Sequence, residues 1–159
     1  MDKFNGEYIS SLDEKGRTSI PAKLREVFDG GYGDERFVIT KNFVRLDDGE
    51  GCRGLQIFPI SEFRKVQENL EKGDTGLTAV QLNGYRRLIL APAVECAADK
   101  QGRVLVPPTL RHYASLEKEA VFVGVTSKIE VWSQEAWDKV CGQDEKVFAD
   151  TQALVNLGF

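Results

Sequence analysis

One histidine, one methionine and three cysteines among 159 residues leave several kinds of chemistry without material. Cys52, Cys96 and Cys141 are odd in number, far apart and include no CxxC pair, so no disulfide framework is encoded and a reducing cytoplasmic compartment is expected. A structural zinc site needs four N or S ligands, usually in close pairs. His112 and three scattered cysteines do not supply that spacing, and neither a metal nor a cofactor is expected. No apolar run approaches the roughly 20 residues of a membrane span, and the opening MDKFNGEYIS lacks the apolar core of a signal peptide. Overall positive charge is missing too: 21 Lys and Arg stand against 25 Asp and Glu, a net charge of −4. An acidic chain does not present its whole surface to nucleic acid.

What the chain does have is a phrase written twice. DEKGRTSIPAKLR from Asp13 to Arg25 returns as DKQGRVLVPPTLR from Asp99 to Arg111, with six of thirteen positions identical. The retained pairs are Asp13/Asp99, Gly16/Gly102, Arg17/Arg103, Pro21/Pro107, Leu24/Leu110 and Arg25/Arg111. Core apolar residues tolerate exchange, so a repeat that keeps Asp, Gly, Arg and Pro is keeping turn geometry and charge. Positive charge is gathered there: the first phrase has four basic and two acidic residues, the second three and one. At this length the chain suits two small halves sharing one core better than two large domains.

FNGEYISSL before the first phrase reads as a strand. In DEKG, Asp begins a type I turn closed by Gly16, a residue able to take a positive φ. Arg17 to Ile20 returns as a second strand, and PAKLREVF, opened by Pro21, is a short helix burying Leu24 and Phe28. Strands are expected at Phe37 to Thr40 and Leu55 to Phe58, separated by a long loop or an extended hairpin. PISEFRKVQENLEKG is a helix with Phe63, Val66 and Leu70 at helical spacing and Gly73 as its stop. TAVQLNGYRRLILAP is helical in pattern as far as Pro92, Gly84 being its weak position, and links the copies. The second half repeats the order: VECAAD, the DKQG turn, RVLV, PPTLRHYASL, then strands AVFVGVT and KIEVW and the helix SQEAWDKVCG. Ser133 is its expected N-cap, with Trp132 and Trp137 as a staple around it. Units of 1–76, 77–92 (crossover), 93–142 and 143–159 follow. The last is a tail for which a helix is one option; it carries Val147, Phe148, Leu154, Val155, Leu157 and Phe159, an apolar set that needs something to pack on.

Catalytic chemistry finds little support. Gly49, Gly51 and Gly54 spell GxGxxG, but a dinucleotide loop needs a helix after it and LQIF reads as a strand. His112, the one histidine, sits in the short second helix as RHYASL and suits a surface or capping role. Asp47, Asp48 and Glu50 suit a solvated acidic loop. No catalytic residue and no small-molecule substrate are expected.

Arg17 and Arg103 remain, each just after a turn, with Lys15 and Lys100 on the turns. One reading is structural: each Arg forks the Asp of its own turn, Asp13 or Asp99, and pins the hairpin. The other is that paired basic hairpins enter the DNA major groove, where a two-stranded ribbon fits and Arg bridges guanine O6 and N7. The two roles are compatible. Asp13, Gly16, Asp99 and Gly102 then form and support the turns.

The repeated DxxGRxxxPxxLR, with LQIFPISEF and IEVWSQEAW in matching places, resembles the MraZ family of bacterial transcriptional regulators from about Phe4 to Cys141. The resemblance implies an α+β fold: a pseudo-two-fold, swapped-hairpin, AbrB-like β-barrel built from two tandem repeats with short flanking helices. It also implies a ring homo-oligomer associated with the nucleoid, binding double-stranded DNA at tandem direct repeats in the promoter of the division and cell wall gene cluster, usually as a repressor. The family's DxxxR signature falls on Asp13 with Arg17 and on Asp99 with Arg103. The alternative is a protein-interaction module of the same fold, antitoxin-like and without specific DNA binding. The first copy is richer in lysine, which ranks Arg17 and Lys15 ahead of Arg103.

Overall fold

A computed structural model of the chain describes residues 3–33, 35–149 and 152–158. The first copy contributes β1 (Glu7–Ser11), β2 (Arg17–Ser19), α1 (Ala22–Val27), β3 (Arg36–Arg45), β4 (Gly51–Pro59) and α2 (Ile60–Glu71). The crossover is α3 (Ala79–Tyr85) followed by a wider helical turn, Arg86–Leu90. The second copy repeats the order as β5 (Val94–Ala97), β6 (Arg103–Leu105), α4 (Pro108–Tyr113), β7 (Glu119–Val125), β8 (Lys128–Trp132) and α5 (Gln134–Phe148). A short turn of 3-10 helix spans Gln152–Leu157. Phe159, counted above with the apolar tail, lies outside the described residues.

Local chemistry explains the boundaries. Pro21 and Pro107 sit at the N-cap positions of α1 and α4 with φ of −51° and −54°, so the ring's fixed φ launches both helices. Ser133 caps α5 as expected, its Oγ accepting from the Ala136 N–H at 3.1 Å, and Trp132 and Trp137 pack in one cluster around it. Thr78 and Gln81 form a capping box at α3, with reciprocal bonds of 3.1 and 3.0 Å. α5 runs past Gly142 to Phe148, longer than SQEAWDKVCG alone suggests.

The strands do not close a barrel, and the barrel expectation is corrected here. Six strands form an open antiparallel sheet in the order β1-β7-β8-β4-β3-β5, while β2 and β6 make a separate two-stranded ribbon. The reason lies in the prolines. β2 and β6 are three residues each, and Pro21 and Pro107 follow shortly after with no N–H to extend a ladder. Between β1 and β2 a single bridge, Leu12 with Thr18, remains. Side-chain bonds stand where further ladder bonds would: Ser10 Oγ donates to the Ser19 carbonyl at 2.8 Å.

Pairing crosses between the copies. β1 pairs with β7, Glu7 opposite Val123. β5 pairs with β3, Val38 opposite Glu95, and β4 meets β8 at the centre, Gln56 opposite Glu130. The ribbon covers one sheet face, placing Thr18, Ile20, Val104 and Val106 against Ile39, Leu55, Ile57, Phe122 and Val131. Leu24 of α1 and Leu110 of α4 complete that core. On the other face Phe63 of α2 packs with Val38 and Phe58, and Val140 of α5 with Val121, Val123 and Trp132. The central cluster and the one under α5 draw on strands of both copies, whereas the cluster under α2 is built from the first copy with Leu90 and Ala93.

The segment between the strands expected at Phe37 to Thr40 and Leu55 to Phe58 is the extended hairpin: Arg45 pairs with Gly51 at its end. It docks on the second copy. Lys41 Nζ lies 4.6 Å and Arg53 Cζ 5.3 Å from the centre of the Tyr113 ring, and Asp47 exchanges bonds of 3.0 and 2.8 Å with the Gln143 side chain. The GxGxxG string is thereby explained. Gly49 takes φ +84° in the hairpin turn. A Cβ on Gly51 would run into the ring of Phe43, and one on Gly54 into that of Trp132. These glycines admit aromatic rings, not a pyrophosphate.

Candidate nucleic-acid interface

The turn at Asp13 is held by its own aspartate. The Gly16 N–H donates to the Asp13 carbonyl at 3.0 Å, and the Asp13 N–H to the Arg17 carbonyl at 2.9 Å. Asp13 Oδ1 accepts from the N–H groups of Lys15 and Arg17, both at 2.9 Å, while Oδ2 accepts from Arg17 Nε at 2.7 Å. The second turn repeats this bond for bond. Asp99 Oδ1 takes the N–H groups of Gln101 and Arg103 at 2.9 Å, and Oδ2 takes Arg103 Nε at 3.0 Å. Gly16 and Gly102 have φ of +82° and +77°, the left-handed backbone a turn of this kind demands of its closing residue. Both carboxyls are held below the usual carboxylate range. The backbone N–H of the following arginine is the main cause for each, with the guanidinium adding to it.

Each arginine pairs with the Asp of its own turn through Nε. Each guanidinium is fixed through Nε, and each arginine side chain is 36% exposed. β2 and β6 pair antiparallel with Arg17 opposite Leu105 and Ser19 opposite Arg103. Thr18 and Val104 point into the core, so alternation turns Arg17, Ser19, Arg103 and Leu105 outward. Arg17 and Arg103 are diagonal neighbours, a spacing of about 7–8 Å. Two arginines expected on separate hairpins share one face of one ribbon. Lys15 and Lys100 are exposed on the turns at its two ends.

Sequence reasoning missed why the phrase also keeps its last arginine. A Cβ on Gly16 would collide with the guanidinium of Arg111, and one on Gly102 with that of Arg25. Each copy's terminal arginine thus lies over the other copy's turn glycine. The backbone is reciprocal as well: the Gly16 carbonyl accepts from the Val106 N–H at 3.0 Å, and the Gly102 carbonyl from the Ile20 N–H at 3.4 Å. Identity of Gly16/Gly102 and Arg25/Arg111 was visible in the sequence, but their partnership depends on the pairing of β2 with β6.

Other candidates stay apart from this site. His112 is exposed on α4. Asp48 Oδ1 accepts the Glu50 N–H at 2.8 Å, closing the acidic hairpin turn. Among the described residues no helix is long and apolar enough to cross a membrane, and no group of three or more His, Cys, Asp or Glu is placed to hold a metal.

Fold and site together define an internally duplicated α+β protein whose copies exchange strands and carry two arginine-bearing turns on a shared ribbon. The family model described as "MraZ protein, putative antitoxin-like" matches residues 89–157. The chain is 52% identical over 158 residues to Transcriptional regulator MraZ of Geobacter sp. (strain M21), covering 98% of this chain and 99% of that one. Its identity to the Geobacter metallireducens protein of that name is 51%, covering 98% and 99%, and to the Desulfitobacterium hafniense (strain DSM 10664 / DCB-2) protein 38% over 156 residues, with the same coverage. The chain belongs to the MraZ family.

Proposed function

We propose that this protein is a sequence-specific DNA-binding transcriptional regulator without catalytic activity, acting in the cytoplasm on the nucleoid. It represses the promoter of the division and cell wall gene cluster by binding tandem direct repeats as a ring homo-oligomer. The observation that carries this reading is the placement of Arg17 and Arg103 on one outward ribbon face. A two-stranded ribbon fits the major groove, and an Arg fork matches O6 and N7 of guanine. Asp13 and Asp99 hold Nε of each fork, so the terminal nitrogens meet a base already oriented, with less side-chain freedom to lose. Lys15 and Lys100 contact phosphates at either end of the ribbon. The names of the relatives support the regulatory role. We read the exchange of β1 and β5 as the swapped hairpins of the AbrB-like arrangement, with 1–76 and 93–142 as its two repeats.

A ring repeats the ribbon in one rotational sense, which suits direct repeats better than palindromes. Weak binding per subunit, expected of a chain with net charge −4, is raised by simultaneous contacts. The test is selection of bound DNA from a random pool, followed by titration of Arg17→Ala. Loss of binding with unchanged native mass supports the assignment, and full affinity at moderate salt sinks it. A second reading, an antitoxin-like interaction module, draws on the exposed Val155 and Leu157 near the chain's end. It predicts co-purification of one protein and no DNA enriched by the selection.

A further inference from the structure

Resting on the DNA-reading role given to the ribbon above, we propose that Leu105 and Ser19 are specificity-determining residues. Leu105 packs on the methyl group of a thymine beside the guanine read by Arg17, and the exchange of serine for leucine between the copies gives each DNA box its direction. The ribbon has an approximate two-fold axis of its own. Thr18 pairs with Val104 at its centre, and these two residues occupy the same station in the two phrases. The reciprocal backbone bonds of Gly16 with Val106 and of Gly102 with Ile20 flank that pair on either side. The axis carries Arg17 onto Arg103 and Ser19 onto Leu105. A face bearing the arginines alone would present the same groups to DNA in either direction along the groove, and a symmetric reader is matched to a palindrome. Serine in one copy and leucine in the other is where the outward face departs from its own symmetry.

Leu105 cannot avoid the bases that the arginines reach. It stands directly opposite Arg17, about 4.5–5.5 Å away between Cβ atoms, and lies two residues along the same face from Arg103. It is 55% exposed, while its strand neighbour Val104 is 2% exposed. A lone leucine elsewhere on a surface needs no account, but one set between two base-reading arginines loses its water as the groove closes over it. It offers neither donor nor acceptor, so the apolar group that answers it in the major groove is the C5 methyl of thymine. Ser19, exposed opposite Arg103, offers both a donor and an acceptor and suits any base edge. Leu105 therefore discriminates where Ser19 tolerates.

The experiment takes the operator obtained by selection and replaces each thymine in turn by deoxyuridine, which removes the methyl and keeps every hydrogen-bonding group. Fluorescence anisotropy on the wild type should find one sensitive thymine in a box, next to the guanine whose preference Arg17→Ala relaxes. Affinity there should fall about fourfold, the effect of burying one such carbon. Leu105→Ser should bind the thymine and deoxyuridine operators equally and keep its guanine preference. A leucine that merely stiffens the ribbon would weaken both operators alike in Leu105→Ser and leave the methyl penalty in place, and that result overturns the proposal. A wild type indifferent to every methyl overturns it too. The wild type should also prefer boxes in one direction over an operator with one box inverted, and both Leu105→Ser and Ser19→Leu, which make the face symmetric, should narrow that ratio. Should Leu105→Ser fail to fold by circular dichroism, Ser19→Leu decides: an unchanged ratio overturns the directional role. Selection that enriches no operator, or full affinity in Arg17→Ala, refutes the DNA-reading ribbon and the leucine's role with it. A guanine preference lost in Arg17→Ala beside a methyl penalty that survives Leu105→Ser refutes the leucine's role alone.

Discussion

Gly16→Val tests the turn on which the ribbon depends. At φ +82° an L-residue pays roughly 1–2 kcal/mol in backbone strain, and a β-branched side chain sits at the upper end of that range. The new Cβ also meets the guanidinium of Arg111. That group terminates a flexible chain and can swing aside, so the collision adds less than the backbone strain. A total of about 2 kcal/mol corresponds to a Tm about 4–8 °C lower in a chain of this size. The Gly16 carbonyl accepts from Val106, so the distortion also reaches the end of β6 and weakens the ribbon. Thermal melting by circular dichroism reads the effect, with Gly30→Val as control. A Cβ at Gly30 meets nothing within 4 Å and its φ is not positive, so that variant should stay within about 0.5 kcal/mol of wild type. Gly102→Val should match Gly16→Val, since its φ is +77° and Arg25 lies over it. Wild-type melting in both turn variants would refute the reasoning.

Asp13 and Asp99 titrate below their ordinary value of 3.8. Carboxyls depressed by folding contribute stability that is present above the unfolded value and is lost as pH falls through the lower folded one. The Tm gap between wild type and Asp13→Asn/Asp99→Asn should therefore persist from neutral pH to about 4 and close below it; a gap independent of pH down to 2 contradicts the network. Leu24, fully buried beneath the ribbon, should cost about 2–5 kcal/mol as Leu24→Ala, read as a shift in urea midpoint at unchanged slope. Gly54→Val overlaps the Trp132 ring and displaces it, and a red-shifted tryptophan emission with a lower Tm is the expected result.

Much of the fold was legible because local chemistry and tertiary structure agree. Pro21, Leu24 and Phe28 announce a helix and its buried side; Ser133 announces α5; Asp13 and Gly16 announce a turn. The duplicated phrase also led to the arginines. What stayed hidden depends on which strand meets which. Alternation in RTS and RVL shows that Arg17 and Arg103 share a parity with Ser19 and Leu105, but only the β2–β6 register joins them on one face. The reciprocal cover of Gly16 by Arg111 and of Gly102 by Arg25 follows from the same register. The closed barrel was an expectation from the family resemblance, and three residues before a proline do not ladder on both edges. The capping box at Thr78 was readable, being Thr three residues before Gln81.

The central claim is that the outward ribbon face reads DNA through Arg17 and Arg103. Fluorescence anisotropy on the selected operator, comparing wild type with Arg17→Ala and with Arg17→Ala/Arg103→Ala across a salt series, tests it most directly. Loss of a guanine contact by Arg17 should cost roughly 1–3 kcal/mol, about five- to 150-fold in affinity, and relax the preference at one base position; the double variant should be weaker still. Both variants binding the operator as tightly as wild type, with the same base preference and salt slope, would contradict it.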